Sequence, residues 1–593
     1  MSSSTLNLRD RHWFILIWSL VAVALIVRSF ATNAGAPLFI DTDDAMHMVV
    51  ARDFLAGQGW YDPIQHRLDT PYGADIHWSR LVDLPLAGLL AFSSLLFEPQ
   101  AALAVTGTIW PLLLLGLLLW LSKRVTFELV GREGLLPALA LPILAPAVLA
   151  EFLPGRVDHH NVVIVLTMAC LLATLLALHR PLWAWLAGLA AATALSIAVE
   201  AIPGVVATIL AFGLAYAADP ARAVNLRRFG LGFAGFMLVH FLLARPPGRW
   251  LEAACDAISP VYVLAALAIG GAYLLVSILP APRVLWQRLA LLSSMGLAAA
   301  ALVVLVYPQC LAGPYAALDP WLRDNWIAAI VEAQPWHQAL ATMPAYAIGV
   351  AVPILLGLLA GLVACRFDAR HRLAWLILLV FITCTAFIML AQIRGARLAV
   401  LPAVPAAAWL IVMARRAYLA HPRLPRIMAL LGAWLAACGL VLVLLVNLVL
   451  GLMPQGGGPA MAETREGRMA CLAPAAFADL RALPPERIMA PIDLGAHILL
   501  ETPHAVVGAP YHRNQRGLLD TFRFFNGPAA TARRIAEQRG LGLLVTCEAL
   551  PEMHGPARDE PGTVLNLLAN DILPDWLVDV SVGGPLKVYA ILP

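Results

Sequence analysis

Charge is scarce in this chain. Of 593 residues only 13% are Asp, Glu, Lys or Arg, while 61% are hydrophobic. An ordinary soluble domain carries about 25% charged residues. Mean hydropathy is +0.79. This composition excludes a soluble globular enzyme and marks a polytopic membrane protein. The net charge of +3 is too small to suggest a nucleic-acid partner. Cysteine is sparse as well. There are eight, none in a CxxC pair, so neither a zinc motif nor a redox motif is indicated. Most of them sit in apolar runs and read as small core residues. The N-terminus lacks a small-residue cleavage site, and the first apolar stretch, Trp13 to Val27, is long enough to stay as a membrane anchor. No internal repeat relates the two halves.

What the chain does have is long apolar runs. Windows of about 20 residues, the length that crosses a bilayer core, recur from 12–31 to 427–452 and give about thirteen spans. The run 81–97 is interrupted by Pro85 and two serines, and it reads as a helix lying on the outer surface. With that choice the positive-inside rule holds loop by loop. Lys123, Arg124 and Arg132 share one side with Arg222, Arg227 and Arg228, with Arg366, Arg370 and Arg372, and with Arg415 and Arg416. That side is the cytoplasm, and the N-terminus joins it. The outer face receives residues 32–100, residues 307–341 and everything after about 453. The expected organisation is a transmembrane domain over 1–452, a Gly/Pro linker over 453–466 and an outer mixed α/β domain over 467–593. That last piece is within ordinary domain size. RIMAPIDLG, HAVVGAPY, LGLLVTCEA and LKVYAIL read as its buried strands. Cys471 and Cys547 both fall there, where a disulfide is chemically allowed. The expected location is the cytoplasmic (inner) membrane.

The unusual polar residues all land on the outer face. Asp41, Asp43 and Asp44 follow the first span. The stretch PGRVDHHNVVI puts Asp158, His159 and His160 at the mouth of the fourth span. Glu332 lies in the loop 307–341, and Arg394 and Arg397 open the twelfth span. Glu200, beside Pro203, sits at the outer end of the fifth. Carboxylates and an imidazole meeting at a membrane surface suit a hard divalent cation, Mg²⁺ or Mn²⁺. Arg clamps phosphate oxygens. Asp158 and His160 are two residues apart and share no helix face, so only a turn or helix entrance lets both meet one ion. Plainer readings stand beside this. Asp158 is a good N-cap, Asp41 to Asp44 suit a solvated loop, Glu332 suits a wet one, and the arginines suit headgroup contacts.

This outer-face order resembles the catalytic subunit of oligosaccharyltransferases, membrane glycosyltransferases of the GT-C fold. IDTDDAMHMVVARD is similar to the family's first-loop acidic stretch, and GRVDHHN is similar to its Asp-x-Asp or Asp-x-His motif. The resemblance implies metal ligands at Asp44, Asp158 and His160. It implies an acceptor-engaging carboxylate at Glu332, with Asp44 sharing the catalytic work. It also implies contacts to the lipid phosphate from Arg397 and Arg394. The acceptor side departs from the family pattern. The Trp-Trp-Asp-Tyr-Gly motif would fall on Pro491-Ile492-Asp493-Leu494-Gly495, which keeps only Asp and Gly. A pocket built from Trp faces cannot be assembled there. Asp493 remains a candidate acceptor contact. His512, in GAPYHRN, is another, unless that stretch is a plain strand-to-turn connection.

The expected function is metal-dependent transfer of a sugar or glycan from a polyprenyl-linked phosphate or pyrophosphate to an acceptor on the outer face. The expected partners are that donor and membrane lipids. A transporter or lipid-export protein, and a non-catalytic scaffold of envelope assembly, are the rival classes.

Overall fold

A computed structural model describes residues 8–32, 35–452 and 460–592. Among these residues ten helices are long and apolar enough to cross a membrane, or twelve if two bent pairs each count as one span. The bent pairs are Arg132–Ile143 with Pro146–Phe152, and Leu424–Ala437 with Gly439–Gly451. The window expected as the fifth of thirteen spans forms the shorter apolar helix Trp183–Ile197, which at 15 residues is not among these candidates. Apolar packing between helices has no water to expel inside a bilayer, so close approach depends on small residues. Helices Ala223–Ala244 and Pro260–Ile278 show this: a Cβ on Gly270 would stand 2.7 Å from the Gly230 carbonyl oxygen.

The run expected on the surface forms the helix Arg80–Ser94. It carries Pro85 inside and is not among the candidate spans. It packs against the short helix Thr42–Leu55, which Asp41 caps by accepting from the Asp43 N–H at 3.1 Å. Residues 453–459 of the expected linker lie outside the described residues, and the helix Ala460–Leu472 covers the rest.

The C-terminal part forms a five-stranded sheet ordered Ala505–Val506, Arg487–Met489, Leu543–Thr546, Lys587–Ile591, Leu577–Asp579. The first three strands run parallel and the last two pair antiparallel. All four expected strands are present, although RIMAPIDLG yields only Arg487–Met489 before the helix Ile492–Glu501 begins. That helix holds this part onto the loop that follows the first span. Arg52 donates to the Leu499 and Leu500 carbonyls, both at 2.8 Å, satisfying acceptors that a helix C-terminus leaves open. His497 Nε2 meets the Phe39 carbonyl at 3.0 Å.

Two disulfides are present. Cys471–Cys547 joins the two cysteines whose pairing was chemically allowed, and Cys255–Cys310 ties together the loops that follow helices Ala223–Ala244 and Leu285–Val306. The second bond corrects the reading of most cysteines as inert core residues. Cys255 and Cys310 lie just past the ends of their apolar runs, in loops.

Candidate functional site

The site is built where several helices begin or end at one end of the bundle. His160 opens His160–Ala177, Glu200 lies at the start of the span Val199–Ala218, Arg394 and Arg397 lie in the first turns of Ile393–Ala420, and Glu151 closes the bent pair at Phe152. Ion pairs of Arg132 with Asp10 and of Arg416 with Glu133 lie at the opposite ends of their helices.

The approach to His160 is a tight turn that requires glycine. Gly155 sits at φ +94°, and a Cβ there would lie 2.0 Å from the Leu38 carbonyl oxygen. Its N–H donates to the Gly107 carbonyl at 2.8 Å, which anchors the turn to the helix Pro99–Leu129. Asp44 then clamps the next residues. One carboxylate oxygen accepts from the Val157 and Asp158 N–H groups at 2.7 and 2.9 Å. Asp158 in turn accepts from the His160 N–H at 2.8 Å, so it braces the entrance of the helix His160–Ala177, where His159 is the capping residue, and belongs to the site at once.

Arg156 is the centre of charge that the sequence reading missed. Its Nη1 stands 2.7 Å from Asp41 and 2.9 Å from Asp44, and its Nη2 2.9 Å from Glu151 and 3.4 Å from Asp158. One guanidinium thus serves four carboxylates, including two of the three expected metal ligands. Around Asp158 lie both imidazoles. His159 Nδ1 is 3.1 Å from Oδ1, and His160 Nδ1 contacts Oδ2. His160 Nε2 reaches Glu200 at 2.9 Å. Burial alone would raise the Asp158 carboxyl, but His160, His159 and Arg156 overcome it and hold Asp158 well below the usual carboxylate range. Burial pushes the His159 imidazole down to about 3, so this ring is neutral at physiological pH.

The resemblance leaves His159 between two metal ligands with no role of its own. It is instead buried between Trp78, His47 and His160, and it lines a cavity. His47 stands three residues after Asp44 on one helix face and is fully buried. Its Nδ1 lies 3.3 Å from Asp83, its Nε2 lies 3.4 Å from His159 Nδ1, and Trp78 stacks on its ring at 4.1 Å.

Two cavities flank the arginines. The larger, about 460 Å³, has a floor of apolar helix ends including Ile197, Ile202, Pro203, Ile388 and Leu398. Its roof is made of loop residues including His77, Trp78, Asp256 and Tyr315, with His512 from the C-terminal part, and His159 and Glu200 complete the wall. The smaller, about 400 Å³, is lined by Glu151, Glu332, Tyr346 and Ile393 among others. Arg394 and Arg397 border both. Arg397 is 6% exposed; its Nη1 pairs with Glu151 at 3.1 Å, while its Nη2 is buried with no hydrogen-bond partner. Arg394 approaches Glu200 at 3.5 Å.

The expected site residues therefore gather unequally. Asp44, Asp158, His160, Arg394 and Arg397 form one cluster, with Glu151, Arg156 and Glu200 added. Glu332 borders the smaller cavity but is exposed. GAPYHRN is a connection, ending in the turn His512–Asn514. Even so, His512 enters the roof of the larger cavity, held by Asp256 at 2.7 Å. Asp493 borders neither cavity; it pairs with Arg468 at 3.0 Å, and its N–H donates to Glu552 at 2.9 Å.

Among the described residues three groups of donors are close enough to hold a metal ion: His47, Asp158 and His159; Glu151, Asp158 and His160; and His159, His160 and Glu200. Mixed imidazole and carboxylate donors fit a divalent cation. Asp44 enters none of these groups, because its oxygens face Arg156 and two backbone N–H groups.

A polytopic helical domain with its ionisable cluster at one end of the bundle, carrying a small α/β domain, is a GT-C-like fold, shared with solved membrane glycosyltransferases. The solved structures it matches include the Archaeoglobus fulgidus oligosaccharyltransferase AglB tethered to an acceptor peptide, at TM-score 0.62 and 15% identity, covering 98% of this chain and 75% of that one. They also include AglB with an inhibitory peptide and a dolichol-phosphate, at TM-score 0.61 and 15% identity over 91% of this chain and 69% of that one. A weaker likeness is to ArnT from Cupriavidus metallidurans, at TM-score 0.40 and 13% identity over 97% of each chain. No protein-family model matches the chain, and no curated protein does.

Proposed function

We propose that this chain transfers a sugar or glycan from a polyprenyl-linked phosphate or pyrophosphate to an acceptor on the outer face of the cytoplasmic membrane. The observation that carries this is Arg397. Its buried Nη2 makes no hydrogen bond, and the nearest anion, Glu200, stands back at 3.6 Å, so a phosphate oxygen between the two cavities would complete the guanidinium's hydrogen bonding. The larger cavity combines an apolar floor with these arginines, which suits a lipid phosphate whose first isoprene units lie against Ile197, Ile202 and Leu398. The AglB complex with a dolichol-phosphate agrees with that choice of donor. Arg394 and Arg397 then hold the phosphate where negative charge builds as the glycosidic C–O bond breaks.

A divalent cation fits the turn at Asp158 to His160, and when bound it neutralises charge on the leaving phosphate. Crystals of AglB have been obtained with Zn and sulfate, in keeping with such a site. In this reading Asp44 acts through the turn. It fixes the Val157 and Asp158 backbone and holds Arg156, and its full set of partners leaves it no role at the acceptor. Glu332, beside Arg397 at the smaller cavity, orients the acceptor there. His512, braced by Asp256, faces the sugar end of the larger cavity. Asp493 serves the packing of the outer domain.

A transporter would place its ionisable groups at mid-span. Here Glu151, His160, Glu200, Arg394 and Arg397 all stand at helix ends, which favours chemistry at the surface. The test is direct. Purified protein given synthetic polyprenyl-linked phosphate or pyrophosphate sugars, with a cell-envelope extract to supply the acceptor, should pass the sugar to a component of that extract and release the free polyprenyl phosphate species, and Arg397→Ala should sharply slow both. Intact donors in every case, with a correctly folded protein, would remove the proposal.

A further inference from the structure

We propose that the acceptor is carried by a membrane lipid: it is a hydroxyl on that lipid's headgroup, and it enters the smaller cavity. The inference rests on the glycosyl transfer read above and names the class of acceptor for the same site.

The place where a peptide acceptor would be read is closed. The resemblance puts the acceptor-reading motif at residues 491–495, and Ile492 stands there where the family pattern has Trp. Ile492 is 4% exposed and packs with Leu518 of the helix Gln515–Asn526 against Leu318 and Leu322 of the loop 307–341. Two further contacts fasten this seam. Gln515 accepts from the Asp319 N–H at 2.8 Å, and the rings of Trp321 and Phe522 meet edge to face at 5.2 Å. Asp493, next in the motif, is held by Arg468 at 3.0 Å. A peptide laid along the seam would have to part four buried aliphatic side chains, which their burial opposes.

The smaller cavity has a different wall. Among the described residues its lining comes only from the helical bundle and the loop 307–341. Ala147 belongs to a bent span, Met343 and Tyr346 lie at the start of the span Pro344–Phe367, Ile393 opens Ile393–Ala420, and Val331 and Glu332 come from the loop. Neither the loop that follows the first span nor the C-terminal part contributes, whereas both roof the larger cavity, through Trp78 and His512. A volume of about 400 Å³ is near the low end for a small-molecule site and suits a compact headgroup.

Position then selects a lipid. The first turns of membrane spans lie at the membrane surface, where a ring such as Tyr346 sits at headgroup level. A soluble acceptor here has no part of the C-terminal domain to grip it. A lipid needs none, because the bilayer that holds the enzyme also keeps the headgroup at a high effective concentration beside the cavity. Ala147, Val331, Met343 and Ile393 suit the apolar base of such a headgroup. Of the two carboxylates in the lining, Glu151 is taken by Arg156 and Arg397, while Glu332 forms no ion pair among the described residues and is left for a hydroxyl. In the step, a lone pair of the hydroxyl oxygen forms the new bond to the anomeric carbon. The bond from that carbon to the phosphate oxygen breaks, and its electron pair leaves on the phosphate. The hydroxyl proton passes to Glu332 and on to water. Arg394 and Arg397 border both cavities, so the donor phosphate and the acceptor hydroxyl meet beside them.

The test uses the full-length purified protein in mixed micelles and a polyprenyl-linked donor radiolabelled in its sugar. One arm receives the chloroform–methanol lipid extract of the cell envelope, the other the delipidated residue of the same envelope. Label should pass into a new lipid in the first arm only, and it should survive the mild acid that strips sugar from a polyprenyl phosphate. Tyr346→Ala should raise KM for the extracted lipid about tenfold and leave KM for the donor unchanged. Label fixed to the delipidated residue, alone or in both arms, overturns the lipid acceptor and leaves glycosyl transfer standing. Both KM values unchanged in Tyr346→Ala, or both raised alike, overturns the smaller cavity as the acceptor's seat. An intact donor in both arms, with the wild type folded, overturns the transfer reading as well.

Discussion

Replacing Arg156 by Met should destabilise the protein by about 3–5 kcal/mol, the usual cost of removing one partner from a buried ion pair. The guanidinium contacts Asp41, Asp44, Glu151 and Asp158 at 2.7, 2.9, 2.9 and 3.4 Å. Unit charges about 4 Å apart interact with about 4 kcal/mol at an effective dielectric of about 20. The Asp41 carboxylate is 43% exposed, so its share is small. Asp44 is fully buried and carries most of the penalty once unpaired. Emptying this seat also leaves a cluster of oxygen donors, which suits a hard cation. Melting of the detergent-solubilised protein, followed by tryptophan fluorescence, measures both effects. Arg156→Met should melt well below the wild type, Arg156→Lys should fall between them, and Mg²⁺ should raise the variant's midpoint more than the wild type's. Equal midpoints for variant and wild type, with equal responses to Mg²⁺, would refute the assignment of Arg156 as the counter-charge of the acidic cluster.

Arg397→Ala should lower turnover of a polyprenyl-linked donor about 10²–10³-fold, the range seen when one donor to a developing anion is lost; a steady-state rate within threefold of wild type contradicts that role. Burial, with Asp493 adding to it, raises the Glu552 carboxyl from 4.5 to about 7. The folded state therefore favours protonated Glu552. Its contribution, at most about 3 kcal/mol, is full below pH 4.5 and is lost as the pH rises through about 7. Melting midpoints should drop over that window in the wild type and stay flatter in Glu552→Gln; identical profiles would show that this carboxyl does not titrate there. The Cys255–Cys310 bond closes a loop over 55 residues of sequence and should contribute about 2–4 kcal/mol. Non-reduced peptide mapping should recover the linked pair, and Cys255→Ser with Cys310→Ser should loosen the cavity roof and raise KM for the donor; free thiols at both positions would count against it.

Much of the fold was readable because hydrophobic length is a strong signal. The two bent spans still read as apolar windows, and Trp183–Ile197 read as a span despite its short helix. The turn at Asp158 to His160 was readable because i and i+2 residues cannot share a helix face. Arg156 went unnoticed because attention to like-charged acids passed over the one cation between them. A count of outer-face acids, with their need for a counter-charge, would have pointed to it. His47 and Asp83 were hidden for another reason. Asp83 already has a local partner in Arg80 at 3.4 Å, His47 lies between two methionines, and only the fold brings His47 to Asp83 and His159. PIDLG read as the end of a strand, yet its residues open the helix Ile492–Glu501, because Pro491 suits the residue before a first turn as well as a strand end.

The central claim is glycosyl transfer from a polyprenyl-linked donor, and the lipid extract of cells lacking this chain tests it most directly. Mass spectrometry should find an accumulated polyprenyl-linked phosphate or pyrophosphate sugar. The wild-type chain should clear it, and Arg397→Ala, expressed at the same level, should not. A lipid-linked sugar pool identical with and without the chain would contradict the account.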